Sequence, residues 1–176
     1  MRKLTALLLC LFAFLPQGAS AAVFNSPEYG FAANFPAPPQ AMPPQPSEKD
    51  SSGATLSMAT LFNAAQQGVY FSTVTVDVFN RPYTIDVPAS LLKERDNFVA
   101  AFKAPLTEQH TGLFQGSPAT FFAFAAADGS IHGRGMVIIL DRPTPRIYIV
   151  AIVYTASASQ DQITSLNRFV DSFRLQ

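Results

Sequence analysis

GSPATFFAFAAADGSIHGRGMVIILDRPTPRIYIVAIVYTA, Gly116 to Ala156, is the stretch whose reading decides the fold. It holds three apolar runs, Ala119 to Ala127, Ile131 to Leu140 and Arg146 to Thr155. Asp128-Gly129-Ser130 and Asp141-Arg142-Pro143-Thr144-Pro145 separate them with the residues that favour turns. Each run is too short to cross a bilayer as a helix and is rich in the β-branched and aromatic residues that suit a pleated surface. The stretch therefore reads as an antiparallel meander. In the middle run Ile131, Gly133, Gly135, Val137 and Ile139 face one way, and His132, Arg134, Met136, Ile138 and Leu140 the other. Away from the first turn both faces are apolar, so both sides of the sheet must be covered.

Two amphipathic segments can supply covers. Asp86-Val87-Pro88 is a helix start, with a capping side chain ahead of a first-turn proline. Beyond it Leu91, Phe98 and Phe102 form a stripe flanked by Leu92 and Val99. Lys93, Glu94 and Asp96 lie opposite, and Pro105 is expected to stop the helix. Ser159 with Gln162 is a capping box, followed by Ile163, Leu166, Phe169, Val170 and Phe173 at helical spacing.

The remaining elements surround this frame. Ala54 to Ala64 and Val69 to Val78 read as a strand pair around Gln66-Gln67-Gly68. Leu56, Met58, Thr60 and Phe62 are expected to share a face. In the second strand Tyr70, Val74, Val76 and Val78 oppose Phe71, Thr73, Thr75 and Asp77. Leu106 to Phe114 is a further short strand, and Tyr29 to Phe35 a strand with an aromatic face. Val23 and Phe24 lead into a turn at Asn25-Ser26-Pro27. Pro36 to Pro46 carries six prolines in eleven residues and, with Ser47 to Gly53, reads as a stiff, then mobile, surface loop. The expected fold class is α+β: a largely antiparallel sheet with a helix from each half packed on it, an α-β-α sandwich.

The N-terminus sets an expected address. Arg2 and Lys3 precede an apolar run from Leu4 to Leu15 and small residues at Ala19 and Ala21, the pattern of a secretory signal peptide spanning residues 1 to 21. Cys10 lies inside that apolar run and leaves with it. Residues 22 to 176 then form one domain, exported to a periplasm or secreted, not membrane-spanning and without cysteine. Its 10 basic residues face 12 acidic ones and form no stripe, so nucleic acid is not an expected partner.

Three local sequences carry a family resemblance: YGFAANFPAPP at Tyr29 to Pro39, GSPATFF at Gly116 to Phe122, and FVDSFRL at Phe169 to Leu175. With the order of elements, they resemble the PsbP-like fold family, which includes many small exported bacterial domains. The motifs are turn and core residues. What the resemblance implies is an accessory or binding role beside a larger complex, with an unidentified protein partner. It carries no metal, nucleotide or catalytic pattern onto this chain.

The residues themselves point the same way. His110 and His132 stand 22 residues apart with no partner at ligand spacing, although a pairing of His132 with Asp128 or Asp141 across the hairpin is open. There is no nucleophile elbow and no phosphate-cradling glycine loop. No acidic residue lies in an apolar context that would raise its pKa. The expectation is a non-enzyme without a cofactor. His132, Arg134, Arg142 and Arg146 are the candidate contacts for a partner or an anion. His132 and Arg142 sit at opposite ends of a strand of roughly 30 Å, too far apart for one small site. The alternative function is a carrier of a small apolar ligand, motivated by small residues from Ala119 to Ala127 beside Phe121, Phe122 and Phe124.

Overall fold

The computed structural model describes residues 22–176; the expected signal peptide lies outside the described residues. The meander forms as three strands, β8 (Ser117–Ala125), β9 (Ile131–Leu140) and β10 (Arg146–Thr155), paired antiparallel in that order. On the outer side of β8 lies β7 (Leu106–Phe114). Gln115 and Gly116 join β7 to β8, both at positive φ, the geometry of the two-residue hairpin turn whose twist matches its strands. Beyond β10 lies the hairpin of β6 (Tyr70–Phe79) and β5 (Ser57–Gln66). Short strands β3 (Gln40–Ala41) and β4 (Gln45–Pro46) pair with β5 and complete an eight-stranded antiparallel sheet. A second sheet has the order β1 (Ala22–Ser26), β2 (Phe31–Phe35), β11 (Arg174–Leu175).

Strand alternation divides the core in two. Met136, Ile138 and Leu140 of β9 face a cluster with Phe31, Phe35, Leu166, Phe169 and Phe173. Val137 and Ile139 face another with Leu91, Phe98 and Val99. The helices α1 (Val87–Ala100) and α2 (Gln160–Ser172) lie on opposite faces, α1 over β8 and β9, α2 against β10 and β2. The expected α+β sandwich is thus formed. One of its covers is more than a helix, because the small sheet shares that face with α2. No helix among the described residues is long and apolar enough to cross a membrane.

Both helix starts follow from their caps. Asp86 accepts a hydrogen bond from the Ala89 amide at 3.1 Å. The Ser159 amide donates to Gln162 Oε1 at 2.7 Å, and the Gln162 amide to Ser159 Oγ at 3.3 Å. Close packing shapes the sheet as well. A Cβ on Gly133 would lie 2.2 Å from Phe124 Cζ, so that glycine exists to let the ring lie flat on the strand.

Several expectations need correction. Val23 and Phe24 belong to β1, whose pairing with β2 is non-local and has no signal nearby. The proline segment is not wholly a loop. Pro46 pairs with Met58 on the outer edge of β5, where a missing N–H is tolerated. Ser47 to Gly53 is tied down rather than mobile: Asp50 Oδ1 accepts from the amides of Ser52 at 2.9 Å and Ala54 at 3.0 Å, and the Leu56 amide donates to the Glu48 carbonyl at 2.8 Å. That last bond lies ahead of β5, so the β5 alternation does not reach Leu56, which packs with Phe79 and Leu91 on the α1 side and not with Phe62. Helix α1 ends at Ala100, before Pro105. The amides of Ala101, Phe102 and Lys103 bond three residues back, tightening the last turn. Leu92, expected beside the apolar stripe, is exposed, and Arg95 is buried.

Candidate functional site

The four candidate contacts from the sequence do not converge. His132 stacks on Tyr154 of the neighbouring strand with ring centroids 5.5 Å apart. Asp128, one of its open partners, instead accepts from the Ser130 amide at 3.0 Å and hydroxyl at 2.6 Å. Arg134 Nη2 donates to Asp171 Oδ1 of α2 at 2.8 Å and to the Asn167 carbonyl at 3.3 Å, which makes it a fastener between β9 and α2. Arg142 is exposed in the β9–β10 turn. Arg146 begins β10, half-buried, with its guanidinium beside Gly30 and the Tyr148 hydroxyl. His132 and Arg134 thus share a face at one end of the meander, and the other two arginines occupy the far end.

Two features stand out elsewhere. The first is β7. It is the last strand of the large sheet, bonded to β8 on one side and, among the described residues, to no strand on the other. Thr107 to Leu113 are all exposed, and Leu113 has 69% of its surface in solvent. The strand is held in place from behind: His110 stacks on Phe121 at 4.7 Å, and the buried Arg95 of α1 donates to Gln109 Oε1. A register shift at Thr107 and the charge of Glu108 protect one end of this edge, whereas Gln109 to Phe114 include no Asp, Glu, Lys or Arg.

The second feature is a polar seam between α1 and the β5–β6 arm. Helix α1 rests mainly on β8 and β9 and reaches β6 through the cluster that joins Leu91, Phe98 and Val99 to Phe71 and Phe79. On this face β6 presents Thr73, Thr75 and Asp77, and β5 presents Asn63 directly opposite Thr73. Asn63 Oδ1, Thr73 Oγ1 and Asp77 Oδ1 are buried without a hydrogen-bond partner among the described residues, while Ser47 and Ser57 bond the Asp77 carboxyl as a whole. Residue exposure at Thr73 is 1% and at Asn63 is 7%. From α1, Glu94 and Lys93 meet this face, and Lys93 Nζ donates to Glu48 Oε1 at 2.5 Å across the seam, with Glu94 Oε1 at 3.7 Å.

The charges in the seam act on one another. Desolvation raises the Asp77 carboxyl above the usual aspartate range, partly offset by hydrogen bonds from Ser47 and Ser57. Desolvation likewise raises Glu94; Lys93 opposes this, while Asp77 and Glu48 add to it by charge repulsion. Burial disfavours the Lys93 cation, but its hydrogen bond to Glu48 and the charges of Glu48 and Glu94 leave it above the ordinary lysine value. The expectation that no acidic residue lies in a raising context is therefore overturned. Asp77 stands between Val76 and Val78, which point to the opposite core, and the groups that act on its carboxyl, Ser47, Ser57, Glu48 and Lys93, lie far from it in sequence. The readable signal was the alternation Phe71, Thr73, Thr75, Asp77, Phe79, which sets polar groups in the middle of a covered face.

No three histidine, aspartate or glutamate side chains among the described residues gather closely enough to hold a metal ion. No protein-family model matches the chain, and no curated protein matches it.

Proposed function

We propose that this chain is an exported, non-enzymatic interaction domain of the PsbP-like kind, which assists an envelope complex by accepting an extended segment of a partner protein along β7. The observation that carries this reading is the free edge: nine residues of strand, seven of them exposed, unpaired on the outer side among the described residues and backed by stacked and hydrogen-bonded side chains. A rigid edge with open N–H and C=O groups accepts a further strand by main-chain hydrogen bonds, with Leu113 available to a pocket on the partner. The signal-like N-terminus and the element order support the setting. The alternative, an apolar carrier, rested on space beside the phenylalanines of β8. The rings of Phe122 and Phe124 lie over Gly135 and Gly133 and take up that space, and no observation favours that reading over the first.

A photo-crosslinking residue at Thr111, compared with one at Arg142, tests the proposal in cells. The expected result is a heterologous adduct from Thr111 alone, lost when Leu113→Lys and Gln109→Lys place charge on the edge. Equal adducts from both positions, capture unaffected by the lysines, or an adduct with the mass of two copies of this chain would overturn it.

A further inference from the structure

The described strands hold three glycines, Gly112 in β7 and Gly133 and Gly135 in β9, and two of them have a reason within the fold. A Cβ on Gly133 would lie 2.2 Å from Phe124 Cζ, and one on Gly135 would lie 2.5 Å from the Val150 carbonyl oxygen. Gly112 has neither a clash to avoid nor a positive φ to adopt. The one atom that a Cβ there would meet within 4 Å, among the described residues, is Phe121 Cε2 at 3.9 Å. A glycine inside a strand weakens it, and often marks the close approach of another group.

The bonding phase of the edge follows from the turn beside it. In a two-residue hairpin the flanking residues, Phe114 and Ser117, exchange bonds with each other, so Gly112 and His110 likewise turn their N–H and C=O groups toward Ala119 and Phe121. Pro118, which has no N–H, falls opposite Leu113, where no bond to β7 is made. Gln109, Thr111 and Leu113 therefore point their N–H and C=O groups outward, with their side chains on the α1 face, where Arg95 reaches Gln109. Gly112 lies between them on the α2 face. There it is flanked by His110, stacked on Phe121, and by Phe114, whose ring centroid is 5.8 Å from that of Phe173. Both flanking phenylalanines are half-buried, so the edge carries a notch with aromatic walls that no described residue fills.

We propose that Gly112 is the position at which this edge selects its partner: the incoming segment adds antiparallel, as every pair in the large sheet does, and sets an aromatic residue across from the glycine, its ring lying in the notch between the His110–Phe121 stack and Phe114. This rests on the reading of β7 as an acceptor edge. Facing the newcomer, Gly112 makes a non-hydrogen-bonded pair, the kind in which side chains come closest. An aromatic side chain there covers the open backbone and supplies the contacts that a Cβ would have made. The residues on either side of the aromatic one bond through their main chain to Thr111 and Leu113.

NMR titration of the protein with two capped peptides of about seven residues, threonine and valine with either phenylalanine or alanine at the centre, tests this. The amides of Gln109, Thr111 and Leu113 are expected to shift most, and the phenylalanine peptide to bind about tenfold tighter, the scale of burying one aromatic side chain. Gly112→Thr fills the notch and should bring the two peptides to equal affinity. It should melt no lower than the parent, because the backbone there is one that a β-branched residue adopts. Equal binding of the two peptides by the parent, or a preference kept in Gly112→Thr, overturns the notch and leaves the edge standing. No shift at the three amides with either peptide overturns both.

Discussion

Strand β6 has two faces, and they were built to different ends. Toward α2 and the small sheet it shows Val74 and Val76, both with no exposed surface, in a cluster where Phe31 lies 5.1 Å from Phe62 and Phe35 lies 4.6 Å from Phe169. Toward α1 it shows Thr73, Thr75 and Asp77, with orphaned oxygens at two of the three. One alternating strand thus carries a dry aromatic core on one side and, between Phe71 and Phe79, a polar seam within the second core on the other. The covers differ accordingly. The dry face is closed by β1, β2, α2 and β11, which come from the two ends of the described chain, whereas the polar face is closed by a helix resting mainly on the neighbouring strands. The contrast implies that stability resides on the first face and that the second face sacrifices some of it.

The strongest way to break this comparison is Phe169→Ala. The ring is fully buried between α2 and β2, and truncating such a residue loses its transfer free energy and leaves a cavity. A destabilisation of about 3–5 kcal/mol in urea unfolding is expected, a large share of what a domain of this size has. A loss below about 1 kcal/mol would mean that the aromatic face is not the seat of stability.

The polar face makes a prediction of opposite sign about pH. Asp77 and Glu94 have raised pKa values in the folded state, so the folded chain binds protons more readily than the unfolded one. Their contribution therefore falls as pH rises through the window from about 4 to the raised folded values, and it improves on acidification. Lys93 faces the same groups and moderates the effect, whereas Glu48 adds to it. Asp50 and Asp128 act in the contrary sense: their folded pKa values are held down, chiefly by bonds from Ser52 and from Ser130, and the stability they supply is lost as pH falls through those lowered values. Those two act below about pH 4, so above it the seam should dominate, shifting the melting temperature by a few degrees. The melting temperature is expected to be higher at pH 5 than at pH 7.5, and Asp77→Asn should remove most of the difference. A melting temperature that rises with pH across that range would contradict the reading of the seam.

How much of this was legible in the sequence depended on how far apart the partners lie. The meander could be read from Ile131 to Leu140 and Arg146 to Thr155 with no error at either end, because β-branched runs and Gly-Pro turns are local signals. The capping box at Ser159 was equally local. The small sheet was not readable: Val23 pairs with Asn34, and Leu175 with Phe31, contacts that no neighbouring residue specifies. The same limit applied to the sites. That His132 and Arg134 share a face followed from alternation, but the Arg134 partner, Asp171, lies 37 residues away on α2. Asp77 was placed on the right face, yet its raised pKa reflects burial and the charge of Glu48, which no neighbouring residue specifies.

The smallest expected effect sharpens the comparison at its border. Arg134 sits on the dry face but at its rim, where α2 stops covering the sheet, and its partner Asp171 is 69% exposed at the side chain. A bridge that open is screened by water and salt and must also hold two flexible side chains in one geometry, so Arg134→Ala should cost about 0–1 kcal/mol. The guanidinium Nε is buried without a partner, and removing it relieves a desolvation cost that offsets part of the lost bridge. Urea unfolding of Arg134→Ala, Asp171→Ala and the double variant separates the two contributions. If the pair coupled strongly, the dry face would depend on a polar clasp at its margin, and the division between an apolar stabilising face and a polar one would no longer hold. A small coupling leaves α2 held by Leu166, Phe169 and Phe173, the residues that its helical spacing turns toward the sheet.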